Sequence, residues 1–154
     1  MQAVRLSTAA VIVIVAGWGA SLGAQQKPAP PKPNFTGRWV IVSPTKAAGQ
    51  EQLVTLDGNT LTFEIGARKQ TYQLDGVERR MPQPSGRDIT IMATAKWDGD
   101  RIVIVTIINY NGMRTEGKDV WSIHPQGRVV IDYTETGSPP SKAVFTRKGK
   151  TNAL

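Results

Sequence analysis

Cysteine is absent from these 154 residues, histidine occurs once, as His124, and aromatic residues make up only 6%. Without thiols there is no disulfide framework, no cysteine nucleophile and no thiolate-bound zinc or iron–sulfur cluster, and one His cannot build a multi-His metal centre. No metal or cofactor is expected. Acidic charge is also scarce, with 12 Asp plus Glu against 19 Lys plus Arg and a formal charge of +7. The single long apolar run, 9–20, is shorter than the roughly 20 residues that a membrane span needs. What the chain does contain is 40% hydrophobic residues, ample for one core, and 15 Gly with 10 Pro, which divide it into short elements. One domain at most is expected at this length.

Arg5, the apolar run and the small residues of 20–24 follow the order of a secretory signal peptide, with cleavage expected after Ala24. An uncleaved anchor is the alternative, but the run is too short for a stable one. Removing the segment takes away Arg5 alone, so +7 becomes +6. Export, to the periplasm or outside the cell, places the domain where disulfides form, and with no Cys its stability rests on its core. The next stretch, 25–33, reads Gln-Gln-Lys-Pro-Ala-Pro-Pro-Lys-Pro. Its prolines lack donors and hold the chain extended, so it is a Pro-rich linker rather than helix or strand. The folded domain is placed at 34–149 and a tail at 150–154.

From Arg38 onward, runs of Val, Ile, Thr and aromatic residues alternate with Gly, Asn, Asp and Pro, and no stretch holds the helical spacing for a dozen residues. Strands are expected at 38–43, 51–57, 60–65, 68–75, 88–97, 100–110, 113–124, 128–135 and 142–148. The turns between them set the register, because residues flanking a two-residue hairpin loop oppose each other and share a face. An Asp98-Gly99 loop sets Trp97 against Asp100, and Asn111-Gly112 sets Tyr110 against Met113. A Pro125-Gln126-Gly127 loop brings Ile123 to Val129. Gly58-Asn59 sets Leu56 against Leu61, and Gly66-Ala67 adds Tyr72 and Leu74 to that face while pairing Glu64 with Lys69 outside. All these joints agree on one apolar face. An all-β fold follows, an antiparallel up-and-down meander closed into a barrel of about 8–10 strands, since closure also removes exposed edges.

Asn34-Phe35-Thr36-Gly37-Arg38-Trp39 resembles the Phe-x-Gly-x-Trp opening of calycins, the superfamily of lipocalins, fatty-acid-binding proteins and avidin-like barrels. Ala143-Val144-Phe145-Thr146-Arg147-Lys148 is similar to the closing strand of the same families, in which a basic residue packs over the opening Trp. The resemblance implies a calycin-like barrel from Phe35 to Lys148, closed by Gly37, Trp39 and Arg147. A guanidinium over an indole gains cation–π energy while tying first strand to last. Two departures bear on the ligand. Fatty-acid-binding proteins carry an Arg-x-Tyr pair in the closing strand, where this chain has Ala143 and Phe145, and their helical lid has no counterpart at 44–50. The chain more closely resembles small exported lipocalin-like domains of bacteria.

Most of the shared face is plain filling, such as Trp39, Ile41, Leu56, Leu61, Phe63, Trp97, Ile104, Trp121, Ile131 and Phe145. Its polar members are Gln70, Tyr72, Thr106, Tyr110, Thr115, Asp119, Tyr133, Glu135 and Arg147. Buried polar groups satisfy one another, hold water or orient a ligand. The candidate ligand-binding residues are Tyr72, Thr106, Tyr110, Thr115, Asp119, Tyr133 and Arg147. The competing reading is a mutual network, with Arg147 paired to Asp119 or Glu135. The outward face of the sixth strand is also apolar, through Val103, Val105 and Ile107 with Met92 and Val120 beside them. It is a candidate surface for a protein partner or a homo-oligomer, unless the linker or the tail covers it.

Other features read as ordinary. Asp98 and Asp100 form a turn before they form a metal site, and His124 lies in a turn with no nucleophile motif near it. Arg79, Arg80 and Arg87 make a basic loop, but without an aromatic–basic stacking strip a nucleic-acid partner is not expected. The expectation is an exported, non-enzymatic barrel binding a small, mostly apolar molecule inside, with an interaction module as the alternative.

Overall fold

The computed structural model describes residues 31–83 and 88–149. The expected leader, most of the linker, Arg87 of the basic loop and the tail lie outside them. Ten strands form one sheet: β1 (Gly37–Ser43), β2 (Glu51–Asp57), β3 (Thr60–Ile65), β4 (Arg68–Gln73), β5 (Arg79–Arg80), β6 (Ile89–Asp98), β7 (Arg101–Tyr110), β8 (Met113–Ile123), β9 (Val129–Glu135) and β10 (Ser138–Arg147). A single 3-10 turn, Thr45–Ala47, follows β1. Every pairing is antiparallel and the order is β4-β3-β2-β1-β10-β9-β8-β7-β6-β5, so the first and last strands meet in the middle of a strongly curled half-barrel. The opposite seam, between β4 and β6, is crossed by one isolated bridge, Asp75 to Lys96. There the Gly76 amide donates to the Ala95 carbonyl at 2.9 Å.

The register follows the turns. Leu56 pairs with Leu61, Tyr110 with Met113 and Ile123 with Val129, and Glu64 meets Lys69 on the outer surface at 3.0 Å. The shared face is the buried one, since Val54, Leu61, Ile102, Ile104, Trp121, Val129, Ile131 and Phe145 are all at 2% exposure or less.

The β6–β7 hairpin corrects one expectation. Its loop is Gly99-Asp100, so Asp98 opposes Arg101 and Trp97 opposes Ile102 rather than Asp100. Gly99 takes the first loop position at φ +64°, a place that favours glycine, and Asp98 binds Arg101 at 3.0 Å across the joint. The register moves by two residues, so every side chain keeps its face. At Asn111-Gly112, by contrast, both loop residues have positive φ, +49° and +76°.

Three further differences concern edges. β4 stops at Gln73 and β5 is an additional two-residue strand against Met92 and Ala93. β10 begins at Ser138, earlier than the expected 142, and runs through Pro139 and Pro140. Prolines break a ladder unless the strand is irregular, and here the register shifts between Ser138 and Ser141. On the outward face Val103 is buried and Met92, Val105, Ile107 and Val120 are partly buried. The widely exposed apolar side chains among the described residues are Val42, Ile65, Val77, Tyr110 and Met113.

Candidate functional site

The interior divides into a packed end and an open end. At the packed end the Trp39 indole donates from Nε1 to the Phe35 carbonyl at 2.9 Å, which buries an indole with its polar atom satisfied. The Arg147 guanidinium lies 4.6 Å from the Trp39 ring centroid and donates from Nη1 to the Thr36 carbonyl at 3.1 Å. Gly37 between them has φ +152°, and a Cβ there would fall 2.9 Å from Arg147 Nη1, so only glycine leaves the guanidinium its place. Thr36 Oγ1 accepts from the Leu56 amide at 2.9 Å, fastening the same segment to β2. The short opening motif thus holds β1, β2 and β10 together.

An aromatic series runs inward from this end. Phe35 contacts Trp97 and Trp121 at 6.1 and 6.3 Å between centroids, Phe63 contacts Trp121 at 5.6 Å, and Phe63 stacks on Tyr72 at 5.8 Å. Lys32, at the end of the linker, sits 4.7 Å over the outer Trp97 ring. Gln52, opposite Trp39 in the ladder, is the one buried polar side chain among the described residues, and its Nε2 has no partner. Ladder parity places Gln52 on the Val54 face, so its inward position was readable. Its burial depends on Trp39 and was not.

Beyond the aromatics the inward residues become small and polar. Gly117, Asp119, Tyr133, Glu135, Ser138, Pro139 and Ser141, with Thr134, line a cavity of about 450 Å³ on the wall made by β8, β9 and β10. Asp119 and Tyr133 are direct cross-strand partners, and Ser141 pairs with Tyr133 from the other side. Burial raises the Asp119 carboxyl from 3.8 to about 6, and among the described residues it makes no ion pair. Tyr72 and Tyr133 are both pushed up to about 12, first by burial and then by the Asp119 charge. Tyr72 is thus within electrostatic reach of Asp119 across the interior, although no ladder connects β4 and β8.

Asp119 and Tyr133 thus share the cavity wall, whereas Tyr72 lines a separate hollow of about 120 Å³ with Val77, Arg79, Met81 and Ala93. Tyr72 also donates to Gln70 Oε1 at 3.3 Å. Thr106 lies one inward row further out, opposite Gly117, and Thr115 lies one row beyond, opposite Ile108. Tyr110 sits at the β7–β8 hairpin tip, 44% exposed. Arg147 is at the other end on Trp39, so its pairing with Asp119 or Glu135 does not occur. The cavity residues absent from the candidate set are Gly117, Thr134, Ser138, Pro139 and Ser141, and Glu135 was read only as a polar interior residue. Parity with Ala143 marks Ser141 as inward, but the two prolines concealed the strand that carries it. A second concavity of about 280 Å³ lies against β3 and β4, lined by Gln50, Phe63, Ile65, Arg68 and Gln70.

No family model matches the chain, and no curated protein matches it in sequence. Among solved structures, it is similar to secretory abundant heat soluble protein 4 from Ramazzottius varieornatus at 13% identity and a TM-score of 0.49, covering 74% of this chain and 94% of that one.

Proposed function

We infer that this chain is an exported, non-enzymatic barrel of the calycin type that takes a small, mostly apolar molecule into the open end of its interior. The reading is carried by one observation: the inward face that is packed solid around Trp39 opens, along the same strands, into a cavity of about 450 Å³ with Asp119 and Tyr133 in its wall. The volume is within the range of small-ligand sites, and the lining is mainly polar, with Tyr133 and Pro139 as its apolar surface. The calycin reading is supported by the Trp39–Arg147 contact between first and last strands. Export is supported by residues 1–24 alone, and the non-enzymatic reading by the lack of any nucleophile motif.

A thermal-shift screen of lipophilic compounds, with native mass spectrometry of the exported protein, tests the proposal. A retained small molecule, or a melting-temperature rise that Ser141→Phe abolishes by filling the cavity, is the expected result. A protein that carries nothing and is stabilised by nothing sinks it. Self-association through Val103, Val105 and Ile107 is the second reading. It gives a dimer on sizing that Val105→Glu disrupts, and the partial burial of this stripe weighs against it.

A further inference from the structure

Resting on the ligand reading above, the character of the cavity wall defines the charge of the occupant. In a chain of net charge +7, this wall presents two carboxylates, Asp119 and Glu135, and among the described residues no Lys or Arg lines it. Among the described residues, the basic side chains on the inward face are placed elsewhere. Arg147 lies over Trp39, and Arg79, opposite the inward Ala93, is held by both Asp75 oxygens at 2.7 Å. Arg68 lines the separate concavity against β3 and β4. The strand beside Asp119 on the other side, β7, offers Ile102, Ile104 and Thr106 on this face. Glu135 accepts a hydrogen bond from the Ser138 hydroxyl at 3.4 Å.

A half-buried carboxylate without a counter-charge is costly, and an occupant that supplies the charge removes that cost. An anionic head group would meet two acids, and a neutral one would leave Asp119 as it was. The aromatic ring of Tyr133 in the wall favours a cation as well, and its hydroxyl stays neutral across the physiological range. We propose that the occupant is an amphipathic amine, its ammonium against Asp119 and Glu135 beside Tyr133 and its apolar body directed toward Ile104, the cross-strand partner of Asp119.

The test is isothermal calorimetry on the full chain at pH 7.5 with three probes sharing one apolar body: tryptamine, tryptophol and indole-3-acetate. A parallel set of octylamine, octanol and octanoate covers an aliphatic body. The amine is expected to bind at least tenfold more tightly than the alcohol, and the acid not at all. Asp119→Asn is expected to remove the amine's advantage over the alcohol, and Glu135→Gln to reduce that advantage by a smaller factor. Neither variant disturbs the packed end. Equal binding of all head groups, a preference for the acids, or an amine preference that survives both variants overturns the cation inference and leaves the ligand reading standing. Binding by no member of either set, with a blank thermal-shift screen, removes the ligand reading and this inference together.

Discussion

One inward row of the sheet, at the packed end, consists of Ile102, Trp121 and Ile131, each at 2% exposure or less. Two inward rows further along the same three strands, the equivalent positions hold Thr106, Gly117 and Glu135. The backbone ladder is continuous through both rows, so hydrogen bonding does not distinguish them. Side-chain volume does. A curled sheet encloses space, and the residues on its inner face decide whether that space becomes core or cavity. Packed core is therefore concentrated at the Trp39 end, and open space at the Asp119 end.

Substitutions at the two ends test this contrast. Trp39→Ala is expected to have the largest effect, a loss of about 3–5 kcal/mol of unfolding free energy in urea titration, since it removes a buried aromatic and the platform for Arg147. A loss below about 1 kcal/mol would mean that the end plug is not central. Arg147→Leu removes the cation–π contact and the bond to Thr36, and is expected to cost about 1–2 kcal/mol in the same assay. Gly37→Ala, by displacing Arg147, is expected to fall in the same range, and no further loss when the two are combined would show that they act through one contact.

At the open end the sign reverses. Asp119 has a folded-state value of about 6 against an ordinary 3.8, so between about pH 4 and 6 the native state holds the proton more tightly than the unfolded chain does. Stability should therefore fall as pH rises through that window and level off above it. Asp119→Asn is expected to be more stable than the parent by on the order of 1 kcal/mol at pH 8, discounted for solvent screening of a partly exposed group, with no gain near pH 4. A variant less stable than the parent at pH 8 would mean that the carboxylate has a partner. The smallest effect is expected at the outer ion pair, where Lys69→Met should change stability by a few tenths of a kcal/mol.

The two ends also differ in how far they could be read from the chain. The packed end was legible, because turn residues determine which side chains share a face and the Phe35 to Trp39 segment has few ways to be buried. Even the misplaced β6–β7 loop left the face intact, a two-residue slip being invisible to a period of two. The open end was less legible because Tyr72 comes within electrostatic reach of Asp119 through curvature rather than pairing, and local sequence carries no signal for that distance. Ser138 to Ser141 were hidden by prolines that a bulge accommodates. Arg147 was assigned to both ends at once, and the Gly37 geometry decides between them.

The most direct measurement is a carboxyl-carbon NMR titration of Asp119 in the ligand-free protein. A midpoint near 6 is expected for a half-buried carboxylate facing a cavity with no cation in its wall. A midpoint at or below 3.8 would contradict the division of the interior, since it would require Asp119 to be either fully hydrated or paired with a basic residue.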